Sequence, residues 1–258
     1  MSGLDHNDLH LILPHLSRVS VGHGEILFDA NDGIDWIYFP ETAIIALVEH
    51  DDNGRSIETG LVGREGFVGW TAVMGYPLAT CRAIVQLDGG TLLRVGTRTL
   101  ATACHVSQTL LHTLLQFVEA MTVQMSCSML ANATYPLSSR LARWLLMRHD
   151  RMPVDEIHVH HDEISASLGV RRASITDCLH LLEGERLIRS RRGKIVIVDR
   201  AGLIARAGGS YGVAEEHQRA AIRSANDQAQ KLEPTVTATD LRHRRMVTAE
   251  TPPVGRNC

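Results

Sequence analysis

Residues 107–132 contain neither proline nor glycine, and no other stretch restricts the possible folds as strongly. Their apolar side chains recur at alternating steps of three and four, as in a heptad-like seam along one face of a helix. Packing this helix on its own domain is one solution, but a second copy across a two-fold axis is the simpler one. The seam predicted to join the two copies consists of Leu111, Leu114, Val118, Met121 and Met125.

The first hundred residues have a different period. Short β-branched or aromatic segments alternate with turns such as Asn31-Asp32-Gly33 and Asp88-Gly89-Gly90. We expect a short helix over 5–16 and then an antiparallel β-roll, or jelly roll. The predicted strands cover residues 34–39, 43–48, 56–62, 83–87 and 91–95.

Composition narrows the class of protein. The 258 residues are 44% hydrophobic and 21% charged, which is typical of a globular chain of one large or two ordinary domains. The apolar runs carry polar breaks well short of the roughly 20 residues that a membrane span needs. Five dispersed cysteines without a CxxC pair, and no signal peptide, predict a cytoplasmic protein without a metal site.

Charge divides the chain into an acidic front and a basic rear. Residues 1–70 hold twelve Asp and Glu against three Arg, giving −9. Residues 171–206 hold nine Arg and Lys against four Asp and Glu, giving +5. A basic rear half predicts contact with a polyanion, although a solvated charged surface would have the same composition.

Residues 160–203 have the pattern of a winged helix-turn-helix. A helix over 162–168 ends at Gly169, and a second helix over 171–183 turns Ile175 and Leu179 inward. Two short β-rich segments follow, joined by the basic turn Arg191-Arg192-Gly193-Lys194. This arrangement would set one helix in the major groove and a positive wing beside it.

The order of these elements resembles the Crp/Fnr family of bacterial transcription regulators. The residues that carry the resemblance are Ile164, 168–170, 172–175, Leu179, 182–183, 187–188 and 192–195, with 140–142 leading into them. The resemblance implies an α+β chain: an N-terminal β-roll, a long dimerisation helix and a C-terminal winged helix-turn-helix. It predicts a cyclic-nucleotide-binding-like sensory domain over 1–105, a dimerisation helix over 106–133, a DNA-binding domain over 134–212 and a disordered tail over 213–258.

The resemblance also implies roles for particular residues. Base reading is expected from Arg171, Arg172, Ser174 and Asp177, with Arg172 at the position of an arginine that reads guanine. Phosphate contact is expected from His160, His161, Arg191, Arg192 and Lys194.

In family members that bind a cyclic nucleotide, a Gly-Glu pair holds the ribose and an arginine followed by a hydroxyl residue holds the phosphate. Here Trp70 follows Gly69, and Ala83 follows Arg82. The effector pocket is therefore predicted at Glu65, Gly66, Gly69, Trp70 and Arg82, with an unknown effector other than cyclic AMP.

The sequence thus predicts a homodimeric transcription regulator that binds an inverted repeat in double-stranded DNA and is not an enzyme. RNA polymerase and a small-molecule effector are further candidate partners, and no membrane or cofactor is assigned. Two alternatives stay open: a ligand-sensing module without DNA binding, and a cupin-like metalloenzyme. Only His23 and His50 in the strand-rich part could serve the second, and both lie beside turn residues.

Overall fold

The N-terminal half is an antiparallel roll of two sheets in the computed structural model, which describes residues 6–220 and residue 223. One sheet has the strand order β1-β7-β3 and the other β2-β6-β4-β5. The bounds are β1 Ser17–Val21, β2 Ile26–Phe28, β3 Trp36–Pro40, β4 Ile44–His50, β5 Ser56–Val62, β6 Arg82–Gln86 and β7 Gly90–Gly96. All five predicted strands are present, whereas β1 and β2 were not predicted.

Helices flank the roll and build the C-terminal half. Their bounds are α1 His6–Ile12, α2 Trp70–Val73, α3 Thr97–Val106, α4 Gln108–Thr134, α5 Leu137–His149, α6 His161–Leu168, α7 Arg172–Gly184 and α8 Arg200–Ala207. A small antiparallel sheet of order β8-β10-β9 completes the wing, with β8 Glu156–His158, β9 Ile188–Arg191 and β10 Lys194–Ile197. This confirms the predicted fold class.

Local sequence explains where the central helices begin and end. Ser107 caps α4, because its Oγ accepts a hydrogen bond from the backbone N–H of Leu110 at 3.2 Å. Pro136 cannot continue that helix and stands at the N-cap of α5. Gly169 ends α6 in the left-handed conformation, with φ of 63°. The tight α6–α7 turn follows from that residue.

The predicted seam of α4 faces the chain's own roll. Leu114 and Met121 are buried in the roll's hydrophobic core, and Leu111, Val118 and Met125 are half-buried against it. The helix is 27 residues long and packs along β5, so its apolar side covers part of the roll. The expectation that this whole seam meets a second copy is therefore wrong for its two buried members.

Two glycines let α4 approach the roll closely. A Cβ added at Gly60 would lie 2.2 Å from the terminal methyl of Met121, and one at Gly66 would lie 1.8 Å from the ring of Phe117. Such distances are shorter than any carbon contact allows. Met121 and Phe117 thus occupy the space that side chains at these two positions would need.

Helix α4 is also long and apolar enough to cross a membrane by length and composition alone, with a mean hydropathy of 1.2. The sequence analysis, by contrast, predicts no apolar run long enough to span a membrane. Because one face of α4 fills the roll's core, packing within the protein accounts for the same composition.

A second hydrophobic cluster joins the roll to the C-terminal half. Ile44 and Leu61 of the roll pack with Leu141, Trp144 and Leu145 of α5, and the same cluster continues into the helix-turn-helix core. The two halves therefore form one packed body rather than two domains joined by a free linker.

The predicted disordered tail begins with ordered structure. Residues 213–220 are helical and are named α9 here, with Ala214 and Glu215 buried. His217 lies 3.2 Å from a carboxylate oxygen of Glu119 on α4. The remainder of the predicted tail lies outside the described residues, apart from residue 223.

Candidate nucleic-acid interface

Helix α7 packs inward through Ile175, Leu179 and Leu182, which leaves its opposite face in solvent. Arg171 is the N-cap residue and Arg172 the first residue of the helix, and both are exposed. Cations are unfavourable at a helix N-terminus, so two arginines there are better explained by a role in binding than by helix stability.

Arg172 forms an ion pair that the sequence analysis did not anticipate. Its Nη1 donates to Oδ2 of Asp162, on the first turn of α6, at 2.7 Å. Both side chains are mostly exposed, so the pair contributes at most about 1 kcal/mol to stability. The guanidinium can therefore exchange Asp162 for a base edge at little cost.

The other two predicted base-reading residues differ in exposure. Asp177 is exposed one turn beyond Ala173, whereas Ser174 is half-buried, with its backbone N–H donating to the carbonyl of Arg171 at 3.0 Å. Asp177 is therefore accessible from solvent, whereas the side chain of Ser174 is accessible only in part.

The two predicted phosphate-binding histidines flank different parts of this surface. His160 is exposed and lies beside the wing turn, where a Cβ on Gly193 would be 3.3 Å from its ring. His161 is half-buried, and its Nδ1 lies 3.1 Å from the hydroxyl of Thr176 on α7. Burial lowers the pKa of His161, which disfavours the charged form that would attract a phosphate.

The wing presents its basic residues unevenly. Arg191 and Arg192 are exposed at the turn between β9 and β10. Lys194 is instead ion-paired with Glu156 of β8. The sequence analysis missed Glu156, although β8 alternates Glu156 and His158 on one face, which was a visible signal.

The predicted effector pocket is not assembled as one site. Glu65 turns toward the C-terminal half, where its Oε1 accepts from Nε of Arg151 at 2.7 Å. Arg82 pairs with Asp29, donating from Nη2 to Oδ2 at 2.5 Å. Each charged residue of the predicted pocket thus already has a partner of opposite charge.

The remaining pocket residues leave little space. Gly66 faces Phe117 of α4, and Gly69 and Trp70 line an apolar crevice of about 10 Å³. A water molecule already needs roughly that volume, so the crevice is too small for a nucleotide. The β-branched and aromatic lining, with Trp70 packed on the roll's core, explains why it is closed.

A larger cavity of about 370 Å³ lies on the other side of Glu65. Its walls come from the turn after β5, the loop after α5, α8 and α9, and they include Arg64, Glu65, Arg151, Arg200, Tyr211 and Arg219. Sequence spacing could not have found this cavity, because its residues are spread over more than 150 positions.

The comparisons with known proteins agree with this geometry. A family model for the Crp-like helix-turn-helix domain matches residues 139–206. Residues 139–206 are therefore similar to the Crp-like helix-turn-helix domain. The matched range covers α5 to α8 and therefore contains the whole surface formed by α7 and the wing. A search of curated protein sequences found no match.

Solved structures extend the likeness in fold across both halves of the chain. FixK2 from Bradyrhizobium japonicum is 16% identical with a TM-score of 0.66, over 75% of this chain and 98% of its own. A CRP/FNR-family regulator from Thermus thermophilus is 24% identical with a TM-score of 0.61, over 74% and 98%. The c-di-GMP responsive global regulator CLP of Xanthomonas campestris is 15% identical with a TM-score of 0.61, over 75% and 99%. At these identities the similarity concerns the fold.

Proposed function

We propose that this chain is a sequence-specific, homodimeric DNA-binding transcription regulator that acts on an inverted repeat. The observation that carries the proposal is the exposed basic surface made by the start of α7 and the wing turn, within the matched Crp-like domain. Arg171 and Arg172 are available to base edges, and Arg191, Arg192 and His160 to the flanking phosphates. We place the protein in the cytoplasm and assign it no catalytic activity.

The dimer contact we propose is shifted from the predicted seam by part of a helix turn. Leu111, Leu115, Val118, Thr122, Met125 and Met129 follow the same alternation of four and three residues. Leu115 is 40% exposed and Met129 64% exposed, while Leu111, Val118 and Met125 lie at the edge of the roll. This ridge can therefore meet a second copy while Leu114 and Met121 stay in the core.

A matched pair of variants tests this contact. Met129→Asp is expected to give monomers and to weaken binding to an inverted repeat, because a carboxylate would be desolvated without a partner. Met74→Asp, which alters an equally exposed methionine far from α4 in sequence, is the control. Sedimentation that finds both variants as dimers would exclude this face of α4 from the interface.

We further propose that the effector is not cyclic AMP. The occupied partners of Glu65 and Arg82 and the narrow crevice at Trp70 support this, since a ligand would have to displace two ion pairs. CLP, with a similar fold, responds to c-di-GMP, so the fold alone does not select an effector. Calorimetric titration is expected to give no cyclic AMP binding at micromolar concentration, and such binding abolished by Arg82→Ala would refute the proposal.

Selection of bound sequences from random duplexes tests the main proposal. We expect enriched inverted half-sites whose centres lie about one helical turn, roughly 34–36 Å, apart, because a two-fold dimer presents its α7 helices symmetrically. Binding should weaken steeply with salt. Failure to enrich any sequence, with or without cell extract, would favour the alternative of a regulatory module that does not bind DNA.

The other alternative, a cupin-like metalloenzyme, has less support. Within residues 6–220, no group of three or more His, Cys, Asp or Glu side chains is arranged to hold a metal ion. RNA polymerase remains a candidate partner of the DNA-bound dimer, and pull-down on the selected duplex is the corresponding assay.

A further inference from the structure

A small cavity lies where β5, α4, α5 and α6 meet, at the centre of the contact between the roll and the C-terminal half. Its volume is about 20 Å³, which is room for roughly one water-sized occupant. Its polar lining includes Glu58, Asn132, Arg140, Arg143 and Trp144. These residues belong neither to the proposed DNA surface nor to the predicted effector pocket.

Glu58 is the one carboxylate in this lining, and it is already paired. Its Oε1 accepts from Nη1 of Arg148 at 3.1 Å, and its Oε2 accepts from Nη2 at 2.5 Å. Arg148 is fully buried and also donates to Gln86 at 3.2 Å. The Glu58–Arg148 pair is neutral overall, so it does not neutralise the two arginines that line the cavity.

Arg140 and Arg143 are one turn apart on α5 but differ in their partners. Arg140 donates to Oδ1 of Asn132 at 3.0 Å and to the carbonyl of Leu168 at 2.5 Å. Arg143 is only 7% exposed, and its Nε and Nη2 have no acceptor among the described residues. The indole Nε1 of Trp144 is likewise without an acceptor in this part of the chain.

A buried guanidinium without an acceptor is strongly unfavourable. Burial lowers the pKa of Arg143, with Glu215 and Glu58 acting in the opposite direction, but an arginine keeps its charge. An occupant that accepts hydrogen bonds and carries negative charge would satisfy these unpaired N–H groups.

We propose that this cavity binds a small inorganic anion of about the size of chloride, held by the guanidinium of Arg143 and the indole N–H of Trp144. The volume excludes a metabolite that bears a carboxylate or phosphate group. Because the walls belong both to the roll and to α5 and α6, the bound anion stabilises the contact between the two halves.

Chloride binding to the full chain can be measured by chloride NMR line width and by melting temperature, in sodium chloride against sodium gluconate at equal ionic strength. Gluconate is too large for the cavity, so we expect a higher Tm in chloride than in gluconate. In the chloride sample, the protein should broaden the chloride line. Arg143→Met should weaken chloride binding roughly tenfold or more, since it removes a charge-assisted hydrogen bond. Arg98→Met, which removes an exposed arginine of α3, should retain it.

An equal Tm in the two salts would mean that the cavity holds water, and it would overturn the proposal. Undiminished chloride binding by Arg143→Met would also overturn it. If that variant fails to fold, crystals of the unaltered protein in sodium bromide decide the matter. An anomalous peak within hydrogen-bond distance of Arg143 supports the site, and bromide found only on the surface refutes it.

Discussion

Arginines of the C-terminal half occupy two contrasting environments. On α5, Arg143 and Arg148 are nearly or fully buried, and Arg148 is held by both oxygens of Glu58. On α7 and the wing, Arg172 and Arg192 are in solvent. Net charge counts these residues equally, but only the exposed set can reach a polyanion, while the buried set needs counter-charges within the fold.

The largest expected effect comes from breaking the buried pair. Glu58→Gln leaves Arg148 buried without a charged partner and should lower the free energy of unfolding by about 3–5 kcal/mol. Urea denaturation followed by circular dichroism measures this. Asp162→Asn, which breaks the exposed pair with Arg172, is the matched control and should cost at most about 1 kcal/mol.

The double variant Glu58→Gln with Arg148→Met sharpens the same comparison. It removes both charges, so much of the lost stability should return. A double variant no more stable than Glu58→Gln would show that the charge pair is not the source of the loss.

An intermediate effect is expected at the exposed arginine of α7. Arg172→Ala should cost about 1–3 kcal/mol of operator binding per contact and relax the preference at one position of each half-site. Its free energy of unfolding should stay within about 1 kcal/mol of the parent, because only the exposed pair with Asp162 is lost. Binding to single-base operator variants tests it, and an equal loss on every duplex would assign Arg172 to phosphate instead.

A smaller effect separates the two basic residues of the wing. Arg192→Ala should reduce the slope of log affinity against log salt by about 0.9, as the loss of one phosphate contact does. Lys194→Ala should reduce it less, because Glu156 already pairs with Lys194. Titrations at several salt concentrations compare the two variants. A larger change for Lys194→Ala would mean that DNA displaces Glu156.

The smallest effect concerns pH and the contact between the wing sheet and the roll. Hydrogen bonds to Glu156 and Asp88 raise the pKa of His158 above its usual value near 6.5. A raised pKa adds stability that is complete below about pH 6.5 and is lost as pH rises through the folded-state value. His158→Gln should therefore lose less stability than the parent between pH 6 and pH 8.

Urea unfolding at the two pH values measures this difference, with the exposed His15→Gln as control. A parent and a His158→Gln variant with identical pH dependence would remove His158 from the linkage. His161 works in the opposite direction, because its pKa is lowered, so the comparison rests on the change between variants.

Local patterns in the sequence predicted helices and strands better than they predicted which surfaces pack against each other. The strands from β3 to β7, α6 with its Gly169 end, and α7 follow from period and turn chemistry, which are local. The seam of α4 shows the limit. A heptad-like period identifies an apolar face, but it does not say whether a strand of the same chain or a second helix covers that face.

Partners that are distant in sequence account for the other differences. The sequence analysis predicts Glu65 in the effector pocket, yet its carboxylate accepts a hydrogen bond from Arg151, 86 residues later. The charge patterns gave no sign that α5 docks on the roll, since Arg143 and Arg148 resemble any other basic residues of the rear half.

Gly60 and Gly66 limit the substitutions that the roll can accept where α4 packs on it. Alanine at either position adds only a methyl group, yet it would overlap Met121 or Phe117, so that side chain or α4 itself would have to shift. The ridge of Leu115 and Met129 lies on that helix, so any shift of α4 would change its distance from the second copy. Two of the smallest side chains thus set the spacing of the proposed dimer, and a mutational scan of the roll should find substitutions there that disturb assembly from outside the interface.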